Sequence, residues 1–468
     1  MHITGARIKA LGYRPAQWWS AAIAEAGARG FDDDAARAFL GGFAPISRPL
    51  RAPGALPWFA NIEPEDEAER ANVVAVSRHM DELMRVPTIV AGAIMPDACP
   101  SDHRLGAIPV GGVAAAKEAI HPAMHSADIC CSMAMTVFGA GADPAAILDA
   151  GMKLSHFGGG GRPRGQQIRP PDDVMARFAA NVFLEPLQSM AIEHFATQGD
   201  GNHFFYVGRV ASTGRIALVT HHGSRAPGAK LYNAGMRAAE RTRRLISPET
   251  PEHNAWIPSE TAEGEAYWSA LQSVREWTKR SRYAIHDAIA DALGLSVEGR
   301  LWNEHNFVFR RADGLFYHAK AATPAYANYA DDATGLTLIP LNMAQPILIT
   351  RGRDAPNGLG FAPHGAGRNF SRTAYMKANA HRPIADMIRE EAPGVDVRYF
   401  CGFPDISELP GAYKNANSVR AQIARFDLAE VVDTVLPFGN IMAGDWKADA
   451  PWRRKKTGTT EDEAGQTA

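Results

Sequence analysis

Ile216-Ala-Leu-Val-Thr220-His221-His222-Gly-Ser-Arg225 is a short apolar run that ends on two histidines, a glycine and an arginine. An apolar run of this length, rich in aliphatic residues, suits a buried strand. A side chain at the end of a strand beside glycine is well placed to enter a site, and imidazole is the commonest metal ligand. The pattern recurs downstream in Leu301-Trp-Asn-Glu-His305-Asn306-Phe-Val-Phe. Upstream, Gln198-Gly-Asp-Gly-Asn202-His203-Phe puts a histidine straight after a glycine-rich turn. Further back, His121-Pro-Ala-Met-His125-Ser-Ala-Asp128-Ile-Cys130-Cys131 places a carboxylate and a thiol three residues apart. Thiolate and carboxylate can share a transition-metal site, although Asp-x-x-Cys occurs often by chance and alone reads more readily as a pair of structural groups. Taken together, Asp128, Cys131, His203, His221 and His305 could hold two metals through a shared ligand, an arrangement suited to phosphoryl transfer.

A second stretch carries the nucleophile. In Phe361-Ala-Pro-His364-Gly-Ala-Gly-Arg368-Asn-Phe-Ser371-Arg372, a histidine sits in a Gly-Ala-Gly turn. Neutral imidazole is a good nucleophile, and arginine clamps phosphate through two parallel hydrogen bonds. Arg368 and Arg372 are four residues apart and would share one face of a helix. Read alone, the same residues also fit a capped helix start with an exposed histidine.

The chain has 468 residues and a formal net charge of −2. It is long for one domain, and the charge balance does not announce a polyanion partner, so any nucleic-acid surface must come from local clustering. Two such clusters have helical spacing: Arg237, Arg241 and Arg244, and Arg275, Lys279 and Arg282. Each reads as a solvated face or, flanking the histidine motifs, as one wall of a phosphate-tracking groove. No apolar run reaches the roughly eighteen residues of a membrane span, and Met1-His-Ile-Thr-Gly-Ala-Arg-Ile-Lys has no signal-peptide core. A cytoplasmic protein is expected. Four cysteines are too few for a disulfide framework.

Residues 1–60 read as an N-terminal extension of short helices and loops. Residues 65–85 have helical spacing that Pro87 ends. Thr88 to Met95 and Ala107 to Ala114 read as strands, 156–165 as a flexible surface loop, and 172–196 as helical. From Asp445 the chain, with Arg453-Arg-Lys-Lys456 and then acidic residues, reads as a disordered tail over 445–468.

These motifs, in this order, resemble those of the RtcB family of RNA-splicing ligases. Asp128-Ile-Cys-Cys131 resembles its Asp-x-x-Cys. Gly199-Asp-Gly-Asn202-His203-Phe204 resembles its Gly-Gly-Gly-Asn-His-Phe, and His221-His-Gly-Ser-Arg225 its His-x-Gly-Ser-Arg. His305-Asn306, Lys320-Ala-Ala-Thr323 and Ala412-Tyr413-Lys414 match further steps, and His364 to Arg372 carries the family's His-Gly-Ala-Gly-Arg-x-x-Ser-Arg intact. The resemblance spans about residues 88–444 and implies one ligase domain over 61–444.

What the resemblance implies is an α/β (α+β) fold with mixed strands around a deep two-metal site. It implies joining of 2′,3′-cyclic phosphate or 3′-phosphate RNA ends to 5′-hydroxyl ends, with GTP and two Mn(2+) ions per chain. His364 would carry GMP, and Asp128, Cys131, His203, His221 and His305 would hold metal. Asn202, Arg368, Arg372 and Tyr413 would contact the nucleotide, and Asp97, Arg225 and Lys320 the RNA. RNA with broken ends is the expected partner, with an activating accessory protein left open and a monomer expected. The sequence departs from the family at Cys99, where a histidine is usual, and at Tyr206, where an acid is usual. It departs again at Pro340-Leu-Asn-Met-Ala344, in place of Pro-Gly-Ser-Met-Gly, and at Gly439-Asn-Ile-Met442-Ala-Gly444, which lacks the guanine-contacting lysine. The pattern is that of a divergent paralogue with an eroded base-recognition shell. A metal-dependent phosphatase or nuclease acting on RNA ends, and a non-catalytic RNA-end binder, stay open as alternatives.

Overall fold

The computed structural model describes residues 1–13, 15, 18–44, 46–101 and 104–446. Its spine is the strand Ala429–Met442, which pairs antiparallel with Ile347–Gly352 on one side and with Phe204–Val210 on the other. From Phe204–Val210 the sheet continues through Ile216–His222 and Ser132–Phe138 to Val297–Glu304; from Ile347–Gly352 it continues to Leu336–Ile339. The end strands of this path come together. The Asn303 amide accepts from Leu338 N at 2.8 Å and donates to Leu338 O at 3.4 Å, so a side chain stands in for a ladder rung and the sheet is nearly closed.

Side chains alternate between the two faces of a strand. Met133, Tyr206, Val219, Leu338, Ile349 and Val435 fill the inside of the curl. Ala134, Phe138 and Leu218 face outward into the main core, beneath the helices. With both faces covered, the strands read as continuous apolar runs, which is why Ile216–His222 is so apolar. Alternation also fixes the two histidines at its end: His221 follows Val219 inward, and His222 points outward.

The helix Ala262–Leu293 lies on the outer face, capped by the Thr261 hydroxyl, which accepts from Gly264 N at 3.0 Å, and stopped at Gly294 with φ +62. Its His286 bonds Thr136 Oγ1 at 2.7 Å and Thr220 Oγ1 at 2.9 Å, joining one helix to two neighbouring strands. A second sheet runs in the order Phe59–Ala60, Ile89–Cys99, Val110–Ala116, Phe316–Lys320, Asn306–Arg310, with Glu67–Leu83 packed against it. Among the described residues before 45, the short helices Gly5–Ala10, Trp18–Ala26 and Asp33–Gly41 surround their own small core of Ile8, Leu11, Ala22 and Leu40.

Several expectations shift. The run Leu301 to Phe309 spans parts of two strands, Val297–Glu304 and Asn306–Arg310, that meet at His305, where the chain crosses from the curled sheet to the second sheet. The helical reading over 172–196 is interrupted: Asp172–Ala179 and Gln188–Glu193 are separated by a turn containing Pro186. The segment 156–165 is tied down, with Phe157 buried, Gly158 N donating to Gly199 O at 2.7 Å, and Arg162 donating to Ala196 O at 2.8 Å. The strand expected from Ala107 begins at Val110. The expected tail lies outside the described residues from 447 onward.

Candidate metal centre and adjoining cavity

Three kinds of local structure bring the metal-type side chains together. Strand ends supply His221 and the break at His305; the turn 198–203 supplies His203; the turn before Ser132–Phe138 supplies Asp128 and Cys131. Cys131 Sγ lies 3.2 Å from His221 Nε2 and 3.7 Å from His203 Nε2. His203 Nε2 lies 3.2 Å from Asp128 Oδ2, and His221 Nε2 lies 3.2 Å from His305 Nε2. The donor atoms fall into two groups, Cys131–His221–His305 and Asp128–Cys131–His203, and within each group all lie within 4.8 Å of one another. Cys131 belongs to both.

This mixed set of oxygen, sulfur and nitrogen donors suits a first-row divalent ion. His221 Nδ1 bonds Asn202 O at 3.1 Å, which leaves Nε2 turned to the cluster, the usual way a backbone carbonyl orients a ligand ring. Burial, then the neighbouring His364, holds His221 and His305 well below the ordinary histidine range, so both rings are neutral and able to ligate. Burial, then the Asp128 carboxylate, pushes the Cys131 thiol well up. Its thiolate form therefore needs a cation beside it. Burial would raise Asp128 too, but the hydrogen bond and charge of His203 bring it below the usual carboxylate value. Cys130, the other thiol of the pair, faces the main core with φ +56 and takes no part.

His364 stacks on His305 with ring centroids 3.2 Å apart and planes 11° apart. Its backbone N donates to Ala321 O at 3.2 Å, and its Nδ1 has no hydrogen-bond partner. Burial pushes this imidazole down to about 3. Beside it opens a cavity of about 440 Å³, bordered by Asp97, Asn202, Lys320, Arg368, Arg372 and Tyr413. The glycines of the turn hold its lip close: a Cβ on Gly367 would lie 2.0 Å from Asp97 O. Asp97 is buried beneath this turn and accepts from Gly365 N at 3.3 Å; burial raises its carboxyl to about 7 against the opposing charge of Lys414.

The two arginines do not share a helix face as the spacing suggests. Arg368 lies in an extended bridge opposite Tyr413, and the helix begins only at Arg372. A residue that the sequence reading passed over holds them together. Glu408, with a side chain 1 % exposed, pairs with Arg372 at 2.8 Å and Arg368 at 3.5 Å, and accepts from the Tyr413 hydroxyl. Its signal was its place six residues before Lys414, in Glu408-Leu-Pro-Gly-Ala-Tyr-Lys414, but a carboxylate in a loop carries no mark of what it pairs with. Arg225 is not brought to the cavity. It turns back to Thr197 Oγ1 at 3.1 Å and to Gly158 O, and so braces the loops behind His203.

The second basic face is corrected outright. Arg282 is fully buried against Ser132 Oγ at 3.0 Å and the Trp302 ring; Arg275 pairs with buried Glu304; Lys279 pairs with Asp332. It is an internal ion-pairing face of the long helix, not an RNA wall.

A family model described as tRNA-splicing ligase RtcB matches residues 166–443. The chain is 25% identical over 337 residues to the tRNA-splicing ligase RtcB of Aeropyrum pernix, covering 63% of this chain and 68% of that one. It is 25% identical over 376 residues to the RNA-splicing ligase RtcB of Escherichia coli, covering 73% and 88%. Against the tRNA-splicing ligase RtcB of Pyrococcus abyssi it is 26% identical over 284 residues, and spans 30% of that relative's length. Asp97, Asp128 and Cys131 precede the segment matched by the family model, so their place beside the histidines is known from the geometry. Among the described residues no helix is long and apolar enough to cross a membrane.

Proposed function

The chain belongs to the tRNA-splicing ligase RtcB family, and from that premise we propose that it is an RNA ligase working through a nucleotide held on His364. The observation that carries this reading is the His364 ring, neutral, stacked 3.2 Å from His305 and facing a cavity bordered by Arg368 and Arg372. The donors Asp128, Cys131, His203, His221 and His305 would hold two manganese ions, which polarise phosphoryl oxygens as Lewis acids.

The chain's own groups do the rest. The unprotonated ring nitrogen of His364 attacks the α-phosphorus of a nucleoside triphosphate, GTP by family expectation. A nitrogen–phosphorus bond forms, the bond to pyrophosphate breaks, and the remaining ring proton leaves to solvent. Arg368 and Arg372, fixed in place by Glu408, face the charge that develops on the phosphates. Tyr413 supports them through the same carboxylate. Asn202 and Lys320, which border the same cavity, would contact nucleotide and RNA phosphates, with Asp97 beneath the His364 turn and Arg225 acting through the loops. A 3′-phosphate, formed directly or by opening of a 2′,3′-cyclic phosphate, takes the nucleotide from His364. The 5′-hydroxyl of the second RNA then displaces the nucleotide monophosphate.

The test is intact mass spectrometry after incubation with manganese and each nucleoside triphosphate. An acid-labile nucleotide adduct is expected, lost in His364→Ala with metal content unchanged. No adduct with any of the four triphosphates would leave a metal-dependent hydrolase as the better account.

A further inference from the structure

Behind the metal-type donors lies a row of buried polar side chains that the reaction does not use. Ser132 is opposite His222 on one neighbouring strand and opposite Glu304 on the other. Directly opposed residues of antiparallel strands project from the same face. These three side chains therefore leave the sheet together, each next in the chain to Cys131, His221 or His305. All three are fully buried. The helix Ala262–Leu293 meets the row with Arg282 on Ser132 and Arg275 on Glu304.

Arg282 is fully buried as well, and among the described residues no carboxylate pairs with it. Its Nε and Nη2 both donate to Ser132 Oγ, at 3.2 and 3.0 Å, and its Nη1 has no partner. A buried cation without an ion-pair partner is costly, and an apolar side chain of similar length would fill the space at less cost. Packing alone does not account for it.

The Ser132 hydroxyl passes the contact on. It accepts from the guanidinium twice and donates to Cys130 O at 2.8 Å, which uses both lone pairs and the proton. Cys130 has φ +56, a left-handed backbone that a residue with a side chain keeps only where its surroundings over-determine it. Two further bonds flank this turn: Cys130 N donates to Asn306 O at 2.7 Å, and His305 N donates to Cys131 O at 2.9 Å. The turn sends Cys130 into the main core and sets Cys131 Sγ 3.2 Å from His221 Nε2 and 3.7 Å from His203 Nε2. We infer that Arg282 is a positioning residue of the metal centre: through Ser132 Oγ it locks the left-handed turn at Cys130 and so fixes Cys131 Sγ where both donor groups share it. This rests on the two-ion reading of the donors given above.

Two substitutions separate the bond from the charge. Arg282→Met removes both and keeps a long side chain over Trp302, whereas Ser132→Ala removes the relay and leaves the guanidinium. Full-length protein is titrated with manganese and, separately, with cobalt(II), whose thiolate charge-transfer band reports ligation by sulfur. The wild-type protein should take two ions per chain. Both variants should hold the weaker ion at least about tenfold less tightly, the scale for removing a group that orients a ligand, and the thiolate band should lose intensity. Arg282→Lys, which keeps a donor for the hydroxyl, should restore part of the band. General destabilisation is read by Ile289→Ala, a cavity two turns beyond Arg282 on the same helix. It lies past His286, which already reaches Thr136, and so farther from Cys131. That variant should melt lower with both ions held as in the wild type.

An unchanged affinity and band in Ser132→Ala overturns the positioning role, even where Arg282→Met shows an effect, because charge alone would then be the cause. An equal metal loss in Ile289→Ala overturns it too. If Arg282→Met fails to melt cooperatively, Ser132→Ala, which removes a single oxygen, carries the test. A wild-type protein that holds fewer than two ions overturns the two-ion reading instead.

Discussion

At Gly223 one methyl group would occupy space that Asp128 needs. A Cβ built there lies 1.6 Å from Asp128 Oδ1 and 2.4 Å from its carboxyl carbon. Gly223→Ala should therefore displace that carboxylate and empty one group of donors while Cys131–His221–His305 stays together. Metal analysis after manganese loading should fall from about two ions per chain to about one, two being the number a bridged site holds. Cys131→Ala, which removes the donor common to both groups, should lose both ions, and His305→Ala only one. Equal losses in all three variants would mean that Cys131 is not shared. Much of this site could be read from the sequence, because histidine, cysteine and glycine at strand ends carry their chemistry in their identity. Glu408 could not. Its role depends on two arginines that lie 36 and 40 residues away in the chain, at 372 and 368, and on burial that a loop does not announce. Glu408 is buried while the Arg368 and Arg372 side chains are 19 % and 48 % exposed, so solvent takes up part of the lost pairing; Glu408→Gln should lower the melting temperature modestly and slow adduct formation on His364 together.

The element that ties the site to the rest of the fold is the helix Ala262–Leu293. His286 reaches from it to Thr136 and Thr220, on the strands that carry Cys131 and His221 at their ends. Burial pushes His286 down to about 3, and His121, which bonds Thr88 and Asn254, also to about 3. Both folded-state values lie below the ordinary histidine value of about 6.5 in an unfolded chain. Between those limits the unfolded chain binds protons that the folded chain does not, so stability falls as pH drops below about 6.5. Asp97 works the other way: raised to about 7, its burial favours the folded state most at low pH. With one carboxyl set against several histidines, the melting temperature should decline from pH 6.5 toward pH 4. His286→Gln, which keeps a hydrogen-bonding side chain without the titration, should flatten that slope. An unchanged slope would remove His286 from the account. The strand Ile216–His222 was legible as an apolar run and the helix Glu67–Leu83 through its periodicity, whereas Ser132–Phe138 was not singled out. The change of sheet at His305 left no mark in the sequence, because the strands on both sides of it are largely buried, each in a different sheet. Periodicity reports burial and not which sheet does the burying.

At the scale of the whole molecule, the question is where RNA lies on a protein of net charge −2. The sequence offered two basic faces of identical spacing, and packing separates them. Arg275, Lys279 and Arg282 are consumed inside, pairing with Glu304 and Asp332 and lying over Phe307 and Trp302. Arg237, Arg241 and Arg244, on the helix Arg225–Ile246, are exposed. Arg241 pairs there with Glu263, and Arg244 with Glu240 at 2.6 Å, but exposed pairs of this kind are worth at most about 1 kcal/mol and yield readily to a phosphate. The helix starts at Arg225, directly after the strand that carries His221, so a strand of RNA entering the site could follow it outward. Triple alanine substitution of Arg237, Arg241 and Arg244 should weaken RNA binding. It should also reduce the salt dependence by roughly 0.7 unit per lost phosphate contact on a single strand, with the melting temperature little changed. The same substitution of Arg275, Lys279 and Arg282 should do the reverse, unfolding the protein at lower temperature because Glu304 is left buried and unpaired. Titrations of RNA binding at several salt concentrations, run beside thermal melts of both variants, decide it. An unchanged salt slope in the first variant would reduce that face to a solvated helix and move the RNA path elsewhere on the surface.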